Sequence, residues 1–341
     1  MKLTSVIFLI ISVILIFSGI FLCDYARDKA PNEGAIDGYV VNKNGDTVVE
    51  HYFEEGGMST ITVDLNDCDI QIIKGGETSY VVMENFLTSR YICAVSGKIL
   101  TVSNNITLAD YINFDGTGVK FGGVWQTLRA MFVDKGNTDR TIYVYIGEEE
   151  IIKQINVNSN GGVVRLVGFN DGQNVKLTVN NSTVELDGIT AESITVDSTK
   201  SDITVTNTSS KSFEGKFEKG KLDLATAIVD EIVLEAEKTK LNLLSIASQN
   251  IEVTCKGADI KLSTLYTMTD YILRATAPDG KITVGDSDMG TEINTADGES
   301  HPGNIKIVCE GASVTLTFGD MNIPVETPDD SETPDDDSDS E

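Results

Sequence analysis

Residues 193–207 read SITVDSTKSDITVTN and residues 250–264 read NIEVTCKGADIKLST. Each holds two triplets in which aliphatic residues flank a polar one: Ile194-Thr195-Val196 with Ile203-Thr204-Val205, and Ile251-Glu252-Val253 with Ile260-Lys261-Leu262. Alternation of period two puts one side of a short strand in an apolar core and the other in water. Working outward, the first triplets of such units begin at Ile155, Val175, Ile194, Phe213, Ile232, Ile251 and Ile272. The second begin at Val164, Val184, Ile203, Leu222, Leu241, Ile260 and Ile282. In the middle of the run both series advance by 19 or 20 residues.

A unit this short cannot bury its aliphatic pairs alone. Stacked copies can, because each strand then pairs with its counterpart in the next turn. The expected fold is all-β: a β-solenoid, parallel β-helix-like, with turns of ~19 residues and strands ~4.8 Å apart. Seven turns would make a rod of roughly 30–35 Å. The gaps carry turn residues, as in Asn180-Asn181-Ser182, Asp187-Gly188 and Pro278-Asp279-Gly280. The alternative is an antiparallel sandwich, which needs turns but no constant step. Phe213-Glu214-Gly215-Lys216-Phe217 offers no clean pair, so a shifted or bulged turn is expected there. After Val284 the step breaks, which predicts a looped insertion over Asp286–Gly303 and then a last turn containing Ile305-Lys306-Ile307 and Val314-Thr315-Leu316.

The chain has 341 residues and a net charge of −27. The segment Asp320–Glu341 carries ten acids and no base, leaving the rest near −17. Such a body does not suit nucleic acid, whose phosphates need cations, nor direct docking on anionic lipid heads. Of the five cysteines, Cys23 lies in the apolar N-terminal stretch, and a Cys68–Cys93 pair is open. Cys255 and Cys309 end equivalent strands. With Ala275 in a turn between them they stand about 10 Å apart, beyond the ~7 Å reach of a disulfide, and read as small buried hydrophobes.

Leu3–Cys23 is 21 residues without a charge, enough to span a bilayer as a helix. A cleaved signal peptide and a lipoprotein signal with Cys23 as the lipidated residue are the rivals. No small-x-small cleavage site is clear, and Leu22 is large for a lipidation signal. Residues 1–2 are then a cytoplasmic stub, and the body is expected outside the cell. Residues 24–58 read as a linker or cap, with Tyr52-Phe53 placed to close the open end of the solenoid. Residues 59–318 form the solenoid domain, and Thr60–Asn104 has longer hairpin-like strands. Within that domain, residues 105–139, with Trp125, read as an insertion loop or short helix, or as an exposed apolar contact for the membrane or a partner. Residues 319–341 are low complexity, with Glu326-Thr327-Pro328-Asp329-Asp330 nearly repeated at Glu332-Thr333-Pro334-Asp335-Asp336, and are expected to be a disordered acidic tail.

The runs Thr60-Ile61-Thr62-Val63-Asp64-Leu65 and Asp69-Ile70-Gln71-Ile72 resemble the opening of the bacterial "putative adhesin" family of exported β-solenoid domains. So does Ile142-Tyr143-Val144-Tyr145-Ile146 followed by Ile155-Asn156-Val157-Asn158-Ser159-Asn160-Gly161-Gly162. The likeness covers residues 59–318. It implies a bacterial surface domain and brings no catalytic residues with it; the Trp125 segment departs from the usual pattern.

Chemistry is sparse in this reading. The outward positions of the second triplets are Arg165, Glu185, Thr204, Asp223, Asn242, Lys261 and Thr283. Those of the first include Asn156, Lys176, Thr195, Val233 and Glu252. No adjacent turns align two acids in these columns, as a solenoid hydrolase of polysaccharide would need. No aromatic row for stacking on sugars is visible either. His51 and His301, the two histidines, lie outside the repeat, which leaves little for zinc or nucleophilic catalysis. Asp64, Asn66, Asp67 and Asp69, and Asp286 with Asp288, do not have the spacing of known calcium loops. The expected sites are therefore catalytic none, metal none and cofactor none. The expected function is a membrane-anchored, non-catalytic binding or scaffolding module of the cell envelope, with an envelope protein or polysaccharide as partner. A polysaccharide-acting solenoid enzyme, a calcium-stabilised adhesin and a transmembrane signalling device are the alternatives.

Overall fold

The computed structural model describes residues 40–41, 47–52, 58–84, 91–104, 140–296 and 300–320, and of 40–41, 47–52 and 104 the backbone. The proposed membrane span 3–23, the Trp125 insertion and the tail from 321 lie outside the described residues. Among those described, no helix is long and apolar enough to cross a membrane. The chain is all-β and solenoid-like, in two compact units that meet in sequence at Arg165 and Leu166.

The first unit contains β1 (Val40–Val41), β2 (Thr47–Tyr52), β3 (Thr60–Asn66), β4 (Asp69–Lys74), β5 (Tyr80–Glu84), β6 (Tyr91–Ser96), β7 (Ile99–Asn104), β8 (Thr141–Ile146), β9 (Gln154–Asn160) and β10 (Val163–Val167). Strands β3 and β4 make one coil. Parallel to it on one side run β9, with Ile61 beside Ile155 and Val63 beside Val157, and β10 against β4. On the other side run β7, with Ile61 beside Leu100, and β8, with Ile70 beside Ile142. The coil β7/β8 therefore sits ahead of β3/β4 in the stack although it comes later in the chain. The inward residues Ile61, Val63, Ile70, Ile72, Leu100, Val102, Ile142 and Val144 are completely buried. Antiparallel strands continue both sheets: β6 on β7, and β5, β2 and β1 in succession on β8. The expected hairpin texture of Thr60–Asn104 is thus present, and β2 extends that sheet from within the segment expected to be a linker or cap.

The second unit contains β11 (Gln173–Asn180), β12 (Thr183–Asp187), β13 (Thr190–Thr199), β14 (Asp202–Ala247), β15 (Asn250–Lys256), β16 (Ile260–Thr264), β17 (Tyr271–Thr276), β18 (Ile282–Val284), β19 (Ser287–Gly290), β20 (Glu292–Asn294), β21 (Gly303–Glu310) and β22 (Val314–Thr317). The predicted ladders are there. Val175 pairs with Ile194 and Ile194 with Phe213; Val184 pairs with Ile203; Ile232 pairs with Ile251, and Leu241 with Ile260.

The four coils from β11 to the end of β14 each turn at two residues of left-handed backbone. One corner stacks Asn181, Lys200, Lys219 and Lys238, with φ of 52–58°, and then Gly257. The other stacks Gly188, Asn207, Thr226 and Ser245. Just past the first corner the hydroxyls of Ser182, Ser201 and Thr239 each donate to the carbonyl two residues back, at 3.0, 2.9 and 3.1 Å. Buried polar groups are thereby satisfied where the backbone leaves its ladder.

Four expectations are corrected. The Phe213 turn is neither shifted nor bulged: Ser193–Thr199 pairs in register with Ser212–Glu218. Phe213, Gly215 and Phe217 all point inward, and the Phe217 ring occupies the space over Gly215, where any Cβ would collide with it. A large ring beside an absent side chain replaces two aliphatic residues of ordinary size.

Second, the inward residues of β17 are Tyr271, Leu273 and Ala275, not Ile272. Third, the last coil of the chain is not the last of the stack. Strand β21 pairs with both β15 and β17, and β22 with both β16 and β18, so the final coil lies between two earlier ones. The segment Asp286–Gly303 is not just a loop. It carries β19 and β20, which run antiparallel along β18 and β17 and cover their outer edges. Fourth, the intercalated coil places Cys309 directly beside Cys255, Cα to Cα 4.6 Å, and the two are disulfide-bonded. The 10 Å expectation assumed stacking in chain order. Cys68 and Cys93 are free thiols.

Candidate functional site

Two surfaces, one on each unit, carry the polar and aromatic groups that could meet a ligand. In the second unit the central outward columns are as mixed as the sequence implied. Glu185 stands beside Thr204, and Asn242 donates to Asp223 at 2.6 Å and lies beside Lys261. The intercalated coil adds residues the chain-order register missed: Thr315 between Lys261 and Thr283, and Lys306 beside Glu252 at 2.6 Å.

Acids gather nearer the corner, in columns outside that survey. Lys216 follows Asp197 and Thr254 follows Glu235 in one column. Glu218 follows Thr199 in the next, and Lys256 and then Glu310 follow Glu237. Between these two columns runs a shallow trough of about 450 Å³, floored by Ser198, Phe217, Ala236 and Cys255. Its charges are partly paired, Lys216 with Glu235 at 3.2 Å and Lys256 with Glu310 at 3.9 Å. The ammonium of Lys219 hydrogen-bonds Glu218 and holds its carboxyl below the usual range, the reverse of what a general acid requires.

The first unit carries a different surface. Val81, Met83, Ile142 and Val144 point into the core, so Tyr80, Val82, Tyr143 and Tyr145 lie on the opposite side of the sheet. Register sets Tyr80 beside Tyr145 and Val82 beside Tyr143, with Gln71 and Ile73 next along. The rings of Tyr80 and Tyr145 stack with centroids 4.6 Å apart, and Tyr143 and Tyr145 lie 6.1 Å apart within 9° of parallel. Partial burial, reinforced by the acids Glu84 and Asp69 at Tyr143 and by Tyr80 and Tyr143 at Tyr145, pushes these phenols upward and keeps them neutral hydrogen-bonding groups. The expectation that the outward faces carry no aromatic row is corrected: the row lies ahead of the repeat, outside the columns that begin at Ile155. Its signal was present in Tyr143-Val144-Tyr145, two tyrosines at strand spacing.

Three of the acids singled out as calcium candidates, Asp64, Asp69 and Asp288, have structural tasks. Asp64 accepts from Asn158 at 2.9 Å, and Asp69 accepts from the Val163 amide at 2.8 Å. Asp288 accepts from the Gly290 amide and pairs with Lys281, both at 3.0 Å, which hold its carboxyl low. His301 shares a 2.9 Å hydrogen bond with the Thr269 carbonyl; the side chain of His51 is outside the described residues. Among the described residues no three acids, histidines or cysteines converge as metal ligands.

The family model for the Toastrack DUF4097 domain matches residues 58–338. The chain belongs to that family. The Toastrack chain is also similar to solved structures of low identity. A protein of Bacteroides fragilis described as a putative adhesin is 10% identical, with a TM-score of 0.43 over 80% of this chain and 96% of that one. A protein of Parabacteroides distasonis described as a putative lipid binding protein is 10% identical, with a TM-score of 0.38 over 79% and 96%. One from Clostridium sporogenes described as a putative cell adhesion protein is 12% identical, with a TM-score of 0.23 over 80% and 99%. No match was found among curated proteins.

Proposed function

We propose that this Toastrack protein is an exported, non-catalytic binding module, held at the bacterial cell membrane by residues 3–23, whose body contacts envelope polysaccharide outside the cell. The tyrosine row of the first unit carries the binding reading. Three half-buried rings on a rigid sheet give an apolar body with polar tips, the chemistry that meets a sugar's CH faces and hydroxyls together. Two features support export. The uncharged stretch Leu3–Cys23 is long enough to span a bilayer, and a buried structural disulfide belongs to an oxidising compartment.

The test is sedimentation of the full-length protein with isolated envelope polysaccharide. The parent chain is expected to co-sediment, and Tyr80→Ser with Tyr143→Ser and Tyr145→Ser is expected to lose most of that binding. Equal binding by parent and variant would remove the tyrosine surface from the reading. The trough supports a second reading, a solenoid enzyme acting on the polysaccharide. Release of reducing ends by the parent chain, abolished by Glu218→Gln or Glu237→Gln, would establish it.

A further inference from the structure

The second unit contains two coils whose positions are interchangeable by pattern. Toward the core, β17 and β18 present Leu273, Ala275 and Ile282. In the same columns β21 and β22 present Ile305, Ile307, Val314 and Leu316. Either coil could cap β15/β16 with aliphatic residues meeting aliphatic residues. Chain order favours β17/β18, since the loop that brings it to β15 is shorter. The structure has the other arrangement.

Two features distinguish them. Tyr271, fully buried, lies over Gly303 of the intercalated strand, and its hydroxyl donates to the Ser248 carbonyl at 2.7 Å. A Cβ at Gly303 would fall 2.6 Å from that ring, so the strand under the tyrosine must lack a side chain there. The other feature is the sulfur pair. Cys255 meets Cys309 only when β21 is the neighbour of β15. Continuing the register of Thr276 beside Val308, the residue level with Cys309 is Ala277, just past the end of β17. Chain-order stacking would therefore face Cys255 with an alanine and leave both thiols apart.

We propose that the Cys255–Cys309 bond selects the order of these coils, making the C-terminal end of the second unit a redox-dependent element. Oxidation fixes β21/β22 between its neighbours. Reduction by a small dithiol delivers two electrons and two protons, yielding two cysteine thiols and the cyclic disulfide of the reagent. The selection then lapses, and β17/β18 docks on β15/β16. Both sulfurs are buried, so exchange requires the coil to open first.

The outward residues report which order is present. In the intercalated order Glu252 touches Lys306, and Arg274 lies one strand further on. In chain order Glu252 and Arg274 become neighbours. Full-length chains carrying Glu252→Cys with Lys306→Cys, or Glu252→Cys with Arg274→Cys, are treated with a short bis-maleimide and the joined peptides identified by mass spectrometry. With the native disulfide present, only the 252–306 product is expected. With Cys255→Ala and Cys309→Ala, the 252–274 product is expected to appear and the 252–306 yield to fall. A 252–306 yield unchanged by loss of the disulfide, with no 252–274 product, would overturn the proposal. A second measurement needs no variant. The unaltered chain is refolded with or without the dithiol and treated with a carbodiimide, which joins Glu252 to Lys306 at zero length. Loss of that product in the dithiol sample is expected, and equal yields in the two samples would again sink the idea.

Discussion

Each unit holds one coil that breaks chain order, and the two breaks differ. In the first unit β7/β8 adds to the free edge of β3/β4, so no existing pairing has to yield. In the second unit β21/β22 occupies the space between β15/β16 and β17/β18, where a direct pairing was available. Adding a coil at an edge needs only a connection long enough to return. Inserting one between two others needs a reason for the direct pairing to lose. The first unit has two free thiols and no disulfide across its out-of-order coil among the described residues; the second has a disulfide across it, and a tyrosine over a glycine.

The largest effect that separates the two breaks concerns the disulfide. The bond closes a loop of 54 residues, and replacing both cysteines by alanine should lower the second unit's stability by about 4 kcal/mol. Urea unfolding of the parent with reductant should reproduce the loss, while the signal of the first unit should not move. Next is the core of the first unit's own displaced coil. Ile142→Ala leaves a cavity at a completely buried site and should cost about 3 kcal/mol, equally with and without reductant. Redox dependence at Ile142 would mean that the two displaced coils are not held differently.

Tyr271→Phe is smaller. It removes the hydroxyl that reaches the Ser248 carbonyl and should cost about 1–2 kcal/mol, measured as a lowered urea midpoint of the second unit.

Alkali gives the smallest contrast. Burial pushes the Cys68 thiol up to about 12, from 9.0 in an open chain. The unfolded chain therefore loses this proton first, and the stabilisation is complete below pH 9 and erodes as pH rises toward 12. By pH 10 the first unit should lose about 1 kcal/mol from this group. Cys68→Ala should remove only that share of the slope, because burial also pushes the Cys93 thiol of the same unit up to about 12. Tyr271 is also raised by burial, and its erosion in the second unit should begin only near pH 10. Unfolding midpoints between pH 8 and 11 would separate the two onsets.

Much of this architecture was legible in the chain. The triplets at Ile194, Ile203, Ile232, Leu241, Ile251 and Ile260 pair as the constant step predicts, because inward aliphatic residues at a fixed interval leave one register that buries them all. Coil order was not legible. Strands β17 and β21 both alternate apolar and polar residues, and alternation states which side faces inward, not which strand is the neighbour. The Ile272 error had a local cause: Ile272-Leu273 offers two adjacent aliphatic residues, and the tyrosine that sets the phase, Tyr271, is aromatic. For Gly303 nothing in the sequence announces the ring above it. The acids of the trough escaped for a related reason. They lie one or three residues beyond the triplets, where the strands run on toward the corner.

The paired columns of left-handed residues carry a last consequence. Because Lys200, Lys219 and Lys238 turn the chain alike, and Asn207, Thr226 and Ser245 do so opposite, each interval between them is a self-contained module with matching ends. A duplicated module there would lengthen the stack by about 4.8 Å and disturb no neighbour's register. Beyond Asn250 the same duplication would carry Cys309 away from Cys255. The protein can thus vary in length during evolution in its middle coils, while its clipped terminus stays a fixed size.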